Sequence, residues 1–327
     1  MHARHGTPHS VARYGNSLMT RCSLADYMRR NWRKDLPLYA MLAVPFLYFA
    51  VFCYGPMFGL VISFQDFKIG SEFFGSSVKW VGMRWFLDFF KSPFFFRVLR
   101  NTVLISLYNL VFVFPLPILL AIMFNEIKSH ALKGFVQTVS YVPYFVSVTI
   151  VVGMMTNFLS LNGGIINEFI RILGGEPQDF MQSAAWFRRL YVISDAWQTV
   201  GFSSIVFIAA IAGISPTLYE AAFVDGSSHF KNIFLITLPS IAPTIIIMLI
   251  LRLGNMLSVG YEKIILMYSP LTYETSDVIS TFVYRNGITN SRFSYASAVG
   301  MFNSVVNVVI LVIANRFSRR FSETSLW

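Results

Sequence analysis

Six stretches of the chain are apolar for long enough to cross a bilayer, and the polar intervals between them set the topology. The spans are expected at 38–64, 98–124, 134–159, 191–213, 240–259 and 295–314. Pro45 and Pro56 lie in the first, Pro115 and Pro117 in the second, and Pro143 breaks the third. Proline removes a backbone donor, so each of these is a predicted kink or interruption. An outside loop, 65–97, carries Phe67, Phe73, Phe74, Trp80, Trp85 and Phe86. Such aromatics settle at bilayer interfaces. A second outside loop, 160–190, opens with Asn162-Gly163-Gly164 and has helical patterning over 165–173. The third, 260–294, reads as a loop or a re-entrant stretch. A basic tail, 1–37, precedes the first span, and its part over 24–36 reads either as a short interfacial helix or as a merely solvated basic tail. A second tail, 315–327, closes the chain.

The polar interval 214–239 has a pattern of its own, SPTLYEAAFVDGSSHFKNIFLITLP. Ser215 suits a helix cap and Pro216 the first helical position. A short helix follows over 217–224, and Gly226 offers the positive φ that ends it. A second helical run, 229–238, leads to Pro239. The expectation is a helix–turn–helix elbow at the membrane surface, with Ala221 and Ala222 allowing close approach.

Composition agrees with a membrane protein. The 327 residues are 55% hydrophobic and 13% charged, with a formal charge of +10. That charge fits lipid headgroups better than nucleic acid, because no nucleic-acid-reading motif accompanies it. Two cysteines form no framework, no His/Cys/Asp/Glu spacing suggests a metal, and the absence of a phosphate-cradling glycine loop argues against ATP binding by this chain. No catalytic cluster stands out. The first apolar segment lacks the short core of a secretory signal and is expected to remain as an anchor. Arg21, Arg29, Arg30, Arg33 and Lys34 crowd the approach to the first span, which places both termini, and the elbow with them, in the cytoplasm.

Polar side chains at membrane depth are costly and mark a path or a partner helix. Arg252, Asn255, Val259 and Glu262 fall at helical spacing in and after the fifth span. Arg252 lies ~18 Å along a helix from Ser240. It reads either as a cavity cation for an anionic group of the solute or as half of an internal ion pair with Glu262 or a partner chain. Tyr141 and Tyr144 in the third span, Trp197 and Gln198 in the fourth, and Asn303 in the sixth could bind a solute through hydroxyl, amide and ring-face contacts. Interhelical bonding is the alternative for each, and is favoured for Asn307 and Ser147.

Glu220-Ala221-Ala222, then Gly226, Ile236 and Leu238-Pro239 at their spacing resemble the EAA loop of binding-protein-dependent ABC importer permeases. Tyr54-Gly55-Pro56, Lys79-Trp80-Val81-Gly82, Asn101-Thr102, Phe114-Pro115-Leu116-Pro117, the 137–143 run and the closing Ser325-Leu326-Trp327 extend the likeness. They are similar to the polysaccharide and oligosaccharide subgroup of sugar permeases, its alginate importers above all. The resemblance covers the chain from Tyr54 to its end. It implies an all-α type I importer fold with six transmembrane helices in the inner membrane, and no catalysis by this chain. It also implies a heterodimer with a second homologous permease, two ATPase subunits that hold ATP and Mg, and a substrate-binding protein outside. The coupling residues it implies are Glu220, Ala221, Ala222, Asp225 and Gly226. From the residues alone, Glu220 could equally pair within the elbow, with His229 or Lys231. An ion-coupled secondary transporter is the rival reading, but Asp195 and Glu262, the acids nearest membrane depth, are both expected near span ends. A membrane enzyme would need a catalytic cluster, and a channel gives no reason for the elbow.

Overall fold

A computed structural model describes residues 24–76 and 78–321, so the closing Ser325-Leu326-Trp327 and the first part of the basic tail lie outside the described residues. The described residues are helical, apart from loops and an isolated bridge between Gln65 and Trp80. The chain divides into two units, Met1–Gly59 and Leu60–Trp327.

In the first unit one helix, Leu24–Tyr48, carries straight on into a π-turn, Phe49–Tyr54, so residues 24–36 are the first part of a longer helix. The π-turn precedes Pro56, whose missing N–H and ring must be absorbed by the turn before it. Phe46 and Met41 are each 74% exposed, as suits a lipid-facing span.

In the second unit four helices are long and apolar enough to cross a membrane: Phe95–Glu126, Ala184–Ala212, His229–Gly254 and Phe293–Arg319. With 36–64 before them and one bent pair, they make six spans. The bent pair is the third span, His130–Phe145 and Val148–Phe158, turned by 96° at the proline-marked break. Val142–Phe145 is a tight 3₁₀ turn with Pro143 inside it, and Ser147 caps the next segment by accepting from Ile150 N.

Several expected bounds shift. The fourth span starts at Ala184, because Arg188 and Arg189 occupy its first turns. The fifth starts at His229 and ends at Gly254, where 240–259 was expected. The sixth helix runs to Phe321, so much of the expected tail 315–327 is helical.

Three apolar clusters hold the unit. Near the elbow, Ile118, Ala121 and Ile122 of the second span pack with Phe207 and Ile211 of the fourth and Ile241 of the fifth. At the opposite end, Phe89, Val98, Ile279, Phe282, Tyr295 and Val299 interlock through edge-to-face rings. Between them Ile105, Val152, Phe187, Tyr191, Ile264 and Val278 form the third. In lipid such contacts stabilise through packing, and small residues let helices approach. Gly201 shows the limit: a Cβ there would lie 1.8 Å from the Ser140 carbonyl oxygen.

The 261–289 segment is a set of short helices, Tyr261–Met267, Tyr273–Ser276 and Ile279–Tyr284 with a following π-turn. Buried Asn101 pins it, donating to the carbonyls of Glu274 and Asp277 while accepting from Arg188. The fifth and sixth spans run antiparallel: Leu257 N donates to Asn307 Oδ1, and further along Gly254 faces Leu311. The elbow and the end of the sixth helix therefore share one side of the molecule. Glu126, closing the second span, contacts His229 on that same side.

Candidate functional site

Three breaks in helical backbone meet inside the second unit. The second span carries a π-turn over Asn109–Val113 ahead of Pro115. The third breaks at Val142–Ser147. The fifth ends at Gly254, and residues 255–260 run irregularly before a new helix begins at Tyr261. Irregular backbone at membrane depth is tolerated where it is enclosed by protein or lines a cavity. Here it lines two. One, of about 240 Å³, is bounded by Asn109, Tyr191, Asp195, Arg252, Asn255, Ser258, Val259 and Gly260 among others. The other, of about 510 Å³, is bounded by Tyr144, Val146, Ser147, Asp195, Gln198, Thr199, Glu262 and Lys263 among others. Tyr191, Asp195 and Gly260 belong to both.

Asp195 is the electrostatic centre. Its Oδ2 lies 3.9 Å from an Arg252 guanidinium nitrogen, and its Oδ1 lies 3.6 Å from the Lys263 ammonium. Both separations are those of an ion pair rather than a hydrogen bond. Arg252 remains 47% exposed, whereas Lys263 is 5% exposed and has no hydrogen-bond acceptor. Lys263 also sits 5.6 Å from the centre of the Tyr191 ring, a cation–π distance. Burial pushes the Lys263 ammonium pKa down, and Asp195 opposes that shift. Two cations thus share one carboxylate, which leaves the junction of the two cavities with an excess positive charge.

The sequence-derived pairing of Arg252 with Glu262 is corrected. Glu262 is exposed at the rim of the larger cavity, and the helical face expected to run through 252, 255, 259 and 262 is broken after Gly254. Arg252, Asn255 and Val259 still reach one cavity because the chain turns back there. Asn307 holds that turn, accepting from Leu257 N and donating to Ser258 Oγ. Asp195, Lys263 and Tyr191 were missed. Starting the fourth span at 191 put Asp195 near its end; starting it at Ala184 puts Asp195 about 16 Å along the helix.

The other expected path residues divide. Tyr144 lines the larger cavity but stacks on Phe202, ring centres 4.1 Å apart, so one of its faces is taken. Gln198 lines it too and donates to the Val146 carbonyl, bracing the break in the third span. Tyr141 is half-buried beside Ser204. Trp197 is 49% exposed and does not line either cavity. Two residues on from Asp195 is a 200° turn of the helix, which points it the other way. Asn303 lines a separate, mostly apolar groove with Tyr261, Tyr284 and Gly300.

The elbow is a helix, Pro216–Val224, preceded by Ser215 in extended conformation with Pro216 first; the Ser215 hydroxyl meets the Thr217 hydroxyl, 2.8 Å away, and makes no capping bond to the backbone. Its end is a Schellman motif: Gly226, at φ +71°, donates to the Phe223 carbonyl, and Ser227 N donates to the Ala222 carbonyl. Ser228 caps the next turn through its hydroxyl, accepting from Lys231 N. The Tyr219 hydroxyl and the Thr237 hydroxyl are 2.9 Å apart, tying the elbow helix to the base of the fifth span. Glu220, Ala221, Asp225 and Gly226 are exposed, and Ala222 is half-buried. His229 contacts Glu126, which removes it as the expected partner of Glu220. Phe223 and Val224, at 81% and 84% exposure, are the apolar tip that sequence reasoning passed over. Their signal was two large apolar residues inside a polar interval.

Residues 113–323 match the family described as the binding-protein-dependent transport system inner membrane component. The chain is 41% identical to Protein LplB of Bacillus subtilis over 90% of its own length and 92% of that protein. It is 39% identical to the polygalacturonan/rhamnogalacturonan transport system permease protein YteP of Bacillus subtilis, over 89% and 90% respectively. Among solved structures it is similar, at 42% identity and a TM-score of 0.83, to a chain of a bacterial ABC transporter involved in the import of the acidic polysaccharide alginate. That likeness covers 90% of this chain and 99% of the other. A second structure of such a transporter, with an alginate pentasaccharide-bound periplasmic protein, gives a TM-score of 0.82.

Proposed function

The chain belongs to the family of binding-protein-dependent transport system inner membrane components, a transport family, and on that premise we propose that it admits an acidic oligo- or polysaccharide of the alginate or polygalacturonan kind. It is a sugar ABC importer permease, a multi-pass membrane protein and not an enzyme. This membership sets aside the ion-coupled alternative. The observation that carries the acidic substrate is the junction of the two cavities, where Arg252 and Lys263 share Asp195. A sugar carboxylate entering there meets an under-neutralised guanidinium able to bind it through two N–H groups. Asn255 lines the smaller cavity, and Gln198 and Tyr144 the larger; they supply amide and hydroxyl contacts on either side of that junction.

The elbow supplies the coupling. Its exposed helix presents Glu220, Ala221 and the Phe223–Val224 tip to a cleft on an ATPase subunit, and the Gly226 motif fixes where the helix stops. The working assembly is this chain, a second homologous permease, two ATPases that hold ATP and Mg, and a substrate-binding protein outside. The elbow and both termini face the cytoplasm across the inner membrane. ATP favours the closed ATPase pair, the elbows move together, and the spans turn the cavity from one side to the other as nearly rigid bodies.

The test is co-purification through a tag on this chain, followed by ATPase assay with binding protein loaded with oligouronate or with neutral oligosaccharide. Stimulation by the uronate-loaded protein supports the reading. A chain that purifies alone and moves solute without ATP overturns the coupling, and equal stimulation by neutral sugar overturns the acidic substrate.

A further inference from the structure

A second cavity cluster lies away from the transport path, at the end of the unit opposite the elbow. A cavity of about 360 Å³ opens between the first turns of the second and sixth spans and is lined by Arg97, Arg285, Arg292, Tyr273, Phe282 and Tyr295. Each arginine lies on an aromatic ring: Arg97 on Phe94 at 4.9 Å, Arg285 on Tyr273 at 4.9 Å, and Arg292 on Tyr295 at 4.5 Å. The ring faces are therefore used by the guanidinium groups, and what the cavity offers is their N–H edges. Asp277 is the acid that answers them, and it is already saturated. It is fully buried and accepts from Arg97, twice from Arg285, and from Thr281. Arg97 Nε and Arg285 Nη1 are buried with no acceptor. Three cations against one spent carboxylate make an anion site.

Its depth and surroundings indicate which anion. The site sits at the ends of two spans, at headgroup level. Beside it the helix Arg84–Lys91 buries Phe86 and Phe89 and keeps Arg84 at its start and Lys91 at its end. Trp85 stands edge-on to Tyr295, ring centres 6.4 Å apart, in the manner of an interfacial belt. Phe94, exposed at 44%, lines the cavity and continues its rim into an apolar surface suited to an acyl chain. The geometry points to a bound anionic phospholipid, its phosphodiester held by Arg97, Arg285 and Arg292 and its chains leaving past Phe94. Basic pockets between membrane helices bind such headgroups. The lipid clamps the ends of the second and sixth spans together with the 273–285 segment.

The test uses the full chain in nanodiscs of equal phosphatidylglycerol and phosphatidylcholine, with lipid retention read by native mass spectrometry after transfer to neutral detergent. One phosphatidylglycerol per chain is expected to survive. Arg292→Ala, which leaves Asp277 paired, should weaken retention about fivefold, the worth of one basic residue at an anionic surface. Arg285→Lys keeps the charge but loses the Nη1 donor and should also weaken it, while Arg171→Ala, removing a cation elsewhere on the outer side, should not. Equal retention of the two lipids, or no change in Arg292→Ala, overturns the assignment. Displacement by inorganic phosphate alone would make it a free-anion site, and displacement by oligouronate a sugar site; either overturns the lipid.

Discussion

Substitution at Gly226 separates the elbow's shape from everything else the permease does. The residue stands at φ +71°, where a side chain is strained, yet a Cβ built there meets nothing within 4 Å. The cost is therefore conformational, with no steric term in the isolated chain. An ordinary L-residue in the left-handed region costs about 1–2 kcal/mol. Avoiding that strain means giving up the two closing hydrogen bonds, from Gly226 to Phe223 and from Ser227 to Ala222, worth about 0.5–1.5 kcal/mol each. The elbow helix has nine residues, too few to be stable alone. A loss of one or two kcal/mol therefore shifts its properly ended population by a factor of about 5–30. Asn tolerates the left-handed region, so Gly226→Asn should be mildest, Gly226→Ala intermediate and Gly226→Val most severe. The assay is ATP-dependent uptake in proteoliposomes with the complete transporter, alongside Tm and membrane yield of each variant. Uptake should fall in that order while Tm and yield stay level. Equal uptake across the three would refute the argument, as would a Tm that falls in step with uptake, because the damage would then not be confined to the elbow.

Other outcomes follow from the same structure. Gly201→Ala places a methyl 1.8 Å from the Ser140 carbonyl oxygen, and overpacking against backbone should cost about 3 kcal/mol or more, read as lost folded yield. Asn101→Ala strands the Arg188 donor and removes the donor to two carbonyls, each buried group costing about 1–3 kcal/mol, so Tm should drop well below that of a surface control. Arg252→Ala should lower uptake of an oligouronate more than that of a neutral oligosaccharide; equal losses would make Arg252 a structural partner of Asp195 only. Burial holds Lys263 below the usual lysine range. The unfolded chain therefore binds the extra proton, and stability should rise with pH between the lowered pKa and the ordinary lysine value. Asp195→Asn removes the opposing charge, so that rise should begin at lower pH, as measured by thermal unfolding across an alkaline series.

Span number, the broken third span and the elbow were all legible because each rests on local chemistry. Apolar runs give the spans, Pro143 the break, and Ser215, Pro216 and Gly226 the start and stop of the elbow helix. Boundaries failed where polar residues are helical without being apolar. Arg188 and Arg189 open the fourth span, and Arg316 continues the sixth. The Arg252 partner failed for a different reason. Spacing along one helix pointed to Glu262, and spacing cannot register that the helix ends at Gly254 or that Asp195 stands on another span. Long-range pairing is set by the packing of separate helices, which no local pattern records.

The three helix breaks explain why that packing takes the form it does. An unbroken span satisfies its own backbone and offers a path nothing but side chains. A π-turn at Asn109, an extended step at Val146–Ser147 and an irregular run over 255–260 each release backbone groups that need partners. For two of the three, neighbouring spans supply them: the Ser106 hydroxyl donates to the Met256 carbonyl and Asn307 accepts from Leu257 N in the 255–260 run, and Gln198 donates to the Val146 carbonyl. The polar side chains that satisfy the breaks are thereby gathered at one depth, and the two cavities open there. Gly260→Ala would press a methyl 2.8 Å from the Tyr191 hydroxyl, at the residue that ends the irregular run and borders both cavities. Such a variant should insert and assemble yet lose uptake. If it transports normally, the junction of the two cavities beside Tyr191 is not on the path.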